Sequence, residues 1–255
     1  MNRVFITGAS SGLGEALARE YAAQGATLGL LARRAEALGQ LAASLPNPGL
    51  HKVYPVDVTD RAALAAAAAD FIASFGGADI VIANAGVSQG TLTEHAEDQA
   101  VFDTIFATNV GATVATFAPF IAGMKTQGGT LVGIGSVAGI RGLPGAGAYS
   151  ASKAAVLSYC ESLRLEMKPY GIRVVTIAPG YVDTPMTRGN PYPMPFLMPA
   201  ARFAQKASAA IAAGASYRVI PWQMGVVAKL LRALPNAVYD LAFAGAPRKP
   251  RRSAP

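Results

Sequence analysis

Tyr149 and Lys153 stand four residues apart in the stretch YSASK, and a phenol one helical turn from an ammonium group is a pair that can move protons. On a helix, residues i and i+4 share a face, so the Lys153 charge is expected to favour the phenolate and draw the Tyr149 pKa below its ordinary value near ~10. A tyrosine tuned in this way serves as a general acid or base near neutral pH. The spacing alone is a weak signal, because many helices carry such a pair as a surface contact. Its meaning depends on what the rest of the chain places beside it.

The N-terminal stretch RVFITGASSGLGEALAREYA reads as a short apolar strand, a glycine turn and an amphipathic helix. Gly8, Gly12 and Gly14 permit a tight turn and close backbone approach, and a helix starting near Gly12 aims free N–H groups and a positive dipole end at a pyrophosphate. The spacing is Gly-x-x-x-Gly-x-Gly, distinct from the commoner Gly-x-Gly-x-x-Gly fingerprint. Further along, Asn84, Ala85 and Gly86 follow the apolar run DIVIA, and Asn109 lies mid-helix in FATNVGA. Ser136 ends the strand TLVGIGS, and the segment PGYVDT at Pro179–Thr184 follows RVVTIA.

With these motifs in this order, the chain from Arg3 to about Thr184 resembles the short-chain dehydrogenase/reductase family. The resemblance implies that Tyr149 donates a proton to a carbonyl oxygen during reduction and that Ser136 holds that oxygen by a hydrogen bond. It gives Lys153 two tasks, lowering the Tyr149 pKa and binding the nicotinamide ribose, and has Asn109 support a water chain leading to Lys153. The cofactor would lie along Gly8, Ser10, Ser11, Gly12, Leu13 and Gly14, then Asn84, Ala85 and Gly86. Tyr149, Lys153, Pro179, Gly180, Val182 and Thr184 complete its nicotinamide side, and Asp57 and Val58 in PVDVTD match positions that contact adenine.

Cofactor choice rests on the end of the second strand, TLGLLARR, where an NAD-specific dinucleotide fold places a carboxylate on the adenosine ribose. That place holds Ala32, followed by Arg33 and Arg34. Without a carboxylate nothing repels a 2′-phosphate, and a guanidinium binds one through paired charge-assisted hydrogen bonds. NADP(H) is therefore expected, with Arg33 as the first candidate for the phosphate and Arg34 as the second. The family's other basic position, in the glycine loop, is Ser11.

Strands are expected near Val4–Thr7, Thr27–Ala32, Leu50–Pro55, Ile80–Asn84, Thr130–Ser136 and Arg173–Ala178, with helices between them. This alternation predicts an α/β fold, a three-layer doubly wound parallel sheet of the Rossmann type, forming a single domain over residues 1–255. The proline-rich stretch MTRGNPYPMPFLMPA cannot be helical throughout, and a substrate lid is expected over about 184–215. From about 217 to 255 the chain departs from the family pattern. A strand near Tyr217–Ile220 is followed by a helix through Leu234 and a shorter one after Pro235, which makes the tetramer of many relatives doubtful and a homodimer through the helices of Asn109 and Tyr149 the expected assembly.

Composition narrows the function. The 255 residues carry a formal net charge of +7 and 52% hydrophobic residues, enough for one large core. The single cysteine, Cys160, cannot form an internal disulfide and is expected as a small buried side chain. His51 and His95 lie apart, with no ligand cluster around them, so no catalytic metal is expected. The first strand starts too close to Met1 to leave room for a signal peptide, which predicts a cytoplasmic protein. No nucleic-acid motif accompanies the positive charge. Trp222, Val226, Leu230 and the basic RKPRR end raise the alternative of contact with a membrane surface, but core or dimer packing with a solvated tail is favoured. The expected activity is NADPH-dependent reduction of an apolar ketone or aldehyde. The alternatives are a peripheral membrane reductase acting on a lipid-like ketone and a non-catalytic NADP(H)-binding sensor.

Overall fold

Alternating apolar residues in the first strand point to opposite faces, as a period of two requires, and they divide the core in two. Val4 and Ile6 enter one hydrophobic cluster while Phe5 enters the other. A computed structural model describes residues 2–251. Its seven-stranded sheet is parallel throughout, in the order β3-β2-β1-β4-β5-β6-β9. The strands are β1 (Arg3–Thr7), β2 (Thr27–Ala32), β3 (His51–Pro55), β4 (Ile80–Ala83), β5 (Gly129–Ile134), β6 (Ile172–Pro179) and β9 (Tyr217–Ile220). Two short strands, β7 (Val182–Asp183) and β8 (Met198–Pro199), pair outside this sheet.

Helices cover both faces, as a parallel sheet requires. On one side α1 (Gly12–Ala23), α2 (Ala35–Ser44) and α7 (Ala200–Ala212) bury Leu17, Leu38, Phe203 and Ile211. On the other, α3 (Arg61–Phe75), α5 (Ala112–Gln127) and α6 (Gly147–Met167) bury Phe71, Phe117, Phe120 and Leu163. Gly29 in β2 makes room here, because a Cβ at that position would stand 2.6 Å from both Phe5 and Phe71. Cys160 is buried on α6, as expected, and burial pushes its thiol up to about 11.

Two features, the lid segment and the basic tail, differ from the sequence expectations, and the outward face of α8 is one that the sequence expects to pack in the core or in a dimer. In the segment expected as a lid, the irregular part is mainly 184–197, because β8 and α7 occupy 198–212 and α7 lies in the core. Its Ala-rich face suits packing on α1, where Ser208 donates to Glu20 and accepts from Gln24. The next two helices, α8 (Trp222–Ala233) and α9 (Asn236–Phe243), form as expected. On α8, however, only Met224, Gly225 and Ala228 are buried, and Trp222, Val226 and Leu230 face outward. Among the described residues of the basic tail, Arg248 is solvated as expected but two others are not. Lys249 and Arg251 fold back onto the body of the protein, where Arg251 meets the buried carboxylate of Asp98.

α4 (Asp98–Phe106) runs through a π-helical turn at Ala107–Gly111 into α5. The resulting helical stretch Asp98–Gln127 is long and apolar enough to cross a membrane by composition. Its apolar residues Phe117, Phe120 and Met124 lie in the sheet core instead.

Candidate active site

The sheet order reverses beside β1. The chain leaves β1 towards β2 and β3, then returns at β4 on the other side, so the residues after β1 and after β4 flank the switch point where such folds bind ligands. Gly8 and Gly12 adopt φ of +70° and +60°, a backbone region that favours glycine. Approach is also tight. A Cβ on Gly8 would lie 2.8 Å from the Ala85 Cα, and one on Gly14 would lie 2.3 Å from the Gly8 carbonyl oxygen.

Asn84 braces this turn. Its amide nitrogen donates to the carbonyls of Thr7 at 2.9 Å and Gly8 at 3.3 Å, while the Thr7 hydroxyl accepts from the backbone N–H groups of Asn84 and Ala85. Gly14 shapes the helix–strand contact and does not itself line the cleft. Ser10, Ser11, Gly12 and Leu13 do line it. Ser11 occupies the N-cap of α1 without a side-chain cap bond, so the first N–H groups of the helix stay available to an anionic ligand.

At the far end of the same cleft stand Arg33, Arg34, Asp57 and Val58. The Arg34 guanidinium donates to the hydroxyl and the carbonyl oxygen of Ser10. Arg33 is looser. Its side chain is 71% exposed, and its nearest carboxylate, Asp57, lies 3.8 Å away. Asp57 accepts from the backbone N–H and hydroxyl of Thr59, and these bonds, helped by Arg33, hold its carboxyl below the ordinary range.

The chemistry-bearing residues gather at the opposite end, beyond the carboxyl ends of β4, β5 and β6. Ser136, Tyr149, Lys153, Ala85, Gly86, Pro179, Gly180, Val182 and Thr184 all line the cleft there. Ser136 caps a short 3₁₀ turn at Val137–Gly139, its Oγ accepting from the Ala138 N–H at 3.1 Å. With an acceptor position of Oγ engaged, the hydroxyl proton is free to turn toward the cleft.

The expected charge effect of Lys153 on Tyr149 is not found. Burial pushes the Tyr149 phenol upward, and hydrogen bonding with the Ser136 side chain offsets this only in part. The Lys153 ammonium lies 5.9 Å from the Tyr149 ring centre and donates to the Ile134 carbonyl at 2.8 Å. Burial pushes Lys153 itself down to about 8. Being i and i+4 places two side chains on one face of a helix, but a long lysine chain still chooses its partner, and here it reaches the end of β5.

Asn109 is fully buried within the π-helical turn and does not line the cleft. Its Oδ1 accepts from the Val87 N–H at 2.8 Å, and its Nδ2 donates to the Val87 carbonyl at 3.0 Å and to Ser152 Oγ at 2.9 Å. Ser152 in turn donates to the Tyr149 carbonyl. The side chain therefore ties the loop after β4 to the helix that carries Tyr149. Gly86 keeps that junction open, since a Cβ there would lie 3.2 Å from Asn109 Oδ1 and 3.5 Å from Lys153 Nζ.

Several site residues gave no sequence signal. Thr7 and Ser152 act through backbone and side-chain bonds that no spacing announces. Met186 and Thr187 join the cleft wall from the proline-rich segment. From the same segment Tyr192 stands near enough to Tyr149 and Tyr181 to feel their charge, and burial together with these phenols pushes it up to about 12. Among the described residues no cluster of His, Cys, Asp and Glu could hold a metal ion.

Comparison with known proteins places this arrangement. The sequence model of the short chain dehydrogenase family matches residues 2–192, and the chain belongs to that family. It is 38% identical over 240 residues to an uncharacterized oxidoreductase of Myxococcus xanthus, covering 93% of this chain and 94% of that one. It is also 39% identical over 190 residues to dehydrogenase/reductase SDR family member 7B of Bos taurus, covering 71% of this chain and 58% of the relative.

Solved structures agree on the fold. A short chain dehydrogenase from Burkholderia cenocepacia in complex with NADP superposes with a TM-score of 0.80 at 26% identity, covering 94% of this chain and 96% of that one. A 3-ketoacyl-(acyl-carrier-protein) reductase from Brucella melitensis complexed with NADH gives 0.77 at 25% identity, covering 86% and 94%. The protein is thus an oxidoreductase of the short-chain type with a site for a nicotinamide cofactor. Its neighbours differ in which cofactor they hold.

Proposed function

We propose that this chain is an NADPH-dependent reductase of ketones or aldehydes, with Tyr149 as the proton donor. The observation that carries this reading is the meeting of Ser136, Tyr149 and Lys153 at one end of a cleft whose other end holds Arg33 and Arg34. The turn at Gly8–Gly12 and the uncapped start of α1 fit a pyrophosphate, and the arginines fit a 2′-phosphate. When bound, NADPH supplies the hydride that reduces the carbonyl carbon.

The chain's own residues do the rest. Tyr149, kept protonated by burial, gives its proton to the carbonyl oxygen, and Ser136 donates a hydrogen bond to the same oxygen. Lys153, held at the end of β5 by the Ile134 carbonyl, would bind the nicotinamide ribose hydroxyls, as the family resemblance implies. Val87 and Met186, which line the cleft, give the substrate an apolar surround. A homodimer through the helices of Asn109 and Tyr149 belongs to this proposal on family resemblance, and a cytoplasmic setting belongs to it on the sequence argument from the first strand.

A second reading has its own support. Trp222, Val226 and Leu230 on α8 and Leu241 on α9 are exposed, which suits a peripheral membrane reductase of a lipid-like ketone. Flotation with anionic vesicles at low and high salt separates the two readings.

The primary test is titration with NADPH and NADH, read by the fluorescence of the reduced cofactor, followed by NADPH oxidation against a panel of aryl and alkyl ketones and aldehydes. The expected result is binding at least about tenfold tighter for NADPH, with turnover of some panel members. Failure to bind either cofactor would overturn the proposal.

A further inference from the structure

The last described residues form a strap over the loops at Gly90 and Gly145, beside Tyr149. The Gly90 N–H donates to the Pro250 carbonyl at 3.1 Å, and a Cβ on Gly90 would lie 2.2 Å from the Lys249 carbonyl oxygen. Beside it, a Cβ on Gly145 would stand 2.8 Å from the Arg248 Cβ. Two glycines thus make the bed on which the strap lies. Arg251 then locks it, donating to Asp98 through Nε at 2.7 Å and Nη2 at 3.1 Å and to Glu97 at 2.8 Å. Asp98, 5% exposed, also accepts from the Leu92 N–H.

Between these anchors the Lys249 side chain turns inward. Its ammonium donates to Ser88 Oγ at 2.7 Å and lies 5.9 Å from the centre of the Tyr149 ring. Among the described residues no carboxylate comes within 4.0 Å of it; Glu97 and Asp98 pair with Arg251 instead. A cation at that distance from an aromatic ring gains little from the π-face, because the attraction is confined to about 6 Å. Burial without a partner anion draws the Lys249 pKa downward, with no carboxylate acting in the other direction. A partly buried cation beside the reacting residue, whose one hydrogen-bond partner among the described residues is a hydroxyl, is an incomplete ion pair.

We infer that Lys249 completes its ion pair with the substrate, and that the enzyme prefers oxo acids, carbonyl compounds carrying a carboxylate close to the group being reduced. This deepens the reductase reading and rests on it. The carboxylate would take a free N–H of Lys249 beside Ser88, the reacting carbonyl would lie at Tyr149 and Ser136, and Met186 would cover the apolar body. In the reaction, the oxo acid takes a hydride from NADPH on carbon and a proton from Tyr149 on oxygen, giving a hydroxy acid and NADP⁺. The carboxylate is unchanged throughout. The preference thus departs from the apolar ketone or aldehyde expected from the sequence.

Calorimetric titration of benzoate and benzamide into the protein, with and without NADPH, tests the ion pair without any need for turnover. For the wild type, benzoate is expected to bind at least about tenfold tighter than benzamide, as a charge-assisted hydrogen bond would give. Lys249→Met should abolish that preference and Lys249→Arg should keep it. Equal binding of the two probes by the wild type, or a preference that survives Lys249→Met, would overturn the inference. Reduction of 4-acetylbenzoate compared with its methyl ester then reads the chemistry. With benzoate binding dependent on Lys249, failure to turn over any carbonyl would count against the reductase reading and leave the anion site standing. In an active enzyme, Lys249→Met should raise KM for the acid alone, and equal losses on acid and ester would contradict the assignment.

Discussion

Lys153 and Ile134 are joined by a 2.8 Å hydrogen bond from the ammonium to the strand-end carbonyl, and this contact holds the buried cation at the foot of the cleft. A lysine whose pKa has fallen to about 8 carries an unfavourable charge when folded at neutral pH. Between the folded value and the ordinary value near 10.5 the unfolded chain binds more protons, so this penalty is full below about pH 8 and fades as pH rises toward 10.5. Lys153→Met should therefore stabilise the protein by about 2 kcal/mol at pH 7, after loss of the bond to Ile134, with the gain shrinking by pH 10. Thermal melts of both proteins at the two pH values check this. A constant difference between them would contradict it.

Arg33 is the freer of the two arginines at the adenosine end, since Arg34 is held by Ser10. Arg33→Ala is expected to weaken NADPH binding by about tenfold or more and leave NADH within about threefold, because only the former brings a phosphate to the guanidinium. Fluorescence titration of both cofactors measures it. Equal losses would remove Arg33 from phosphate recognition.

The three side-chain bonds of Asn109 hold a loop to a helix in the fully buried interior. Asn109→Ala leaves the Val87 N–H and carbonyl without those partners, at a cost of about 2–4 kcal/mol. For a chain of this size the melting temperature should fall by about 5–15 °C. A melt unchanged within about 2 °C would show that the loop finds other partners.

Arg251 is the lock of the C-terminal strap. Pairing with Arg251, reinforced by the Leu92 N–H, holds the Asp98 carboxyl below its ordinary value, so this contribution is present above the usual carboxylate range and is lost as pH falls through the folded value. Arg251→Ala should free the strap at neutral pH, measured as faster cleavage by trypsin after Arg248. Unchanged cleavage would mean that the Gly90 and Gly145 contacts suffice.

The strands were legible because each is a short apolar run between turn residues, and the parallel sheet follows from their alternation with helices. Six expected strands and that near Tyr217–Ile220 fall within two residues of those observed. The glycine turn and the cleft-lining positions were legible because a ligand that approaches the backbone restricts residue type. Asn109 was readable as important but not as a clamp within a π-helical turn, since that geometry depends on Val87 and Ser152. The partner of Lys153 depended on where β5 ends. Lys249 was the least legible, because its contact with Ser88 joins residues 161 apart and a basic tail carries no periodicity that would reveal a docking place.

The most direct measurement is turnover and NADPH affinity of Tyr149→Phe, which removes one hydroxyl and keeps the ring. The account predicts that kcat falls by about 10²-fold or more, the contribution of a positioned proton donor, while NADPH still binds within about threefold of wild type. Turnover close to wild type in the variant would contradict Tyr149 as the proton donor.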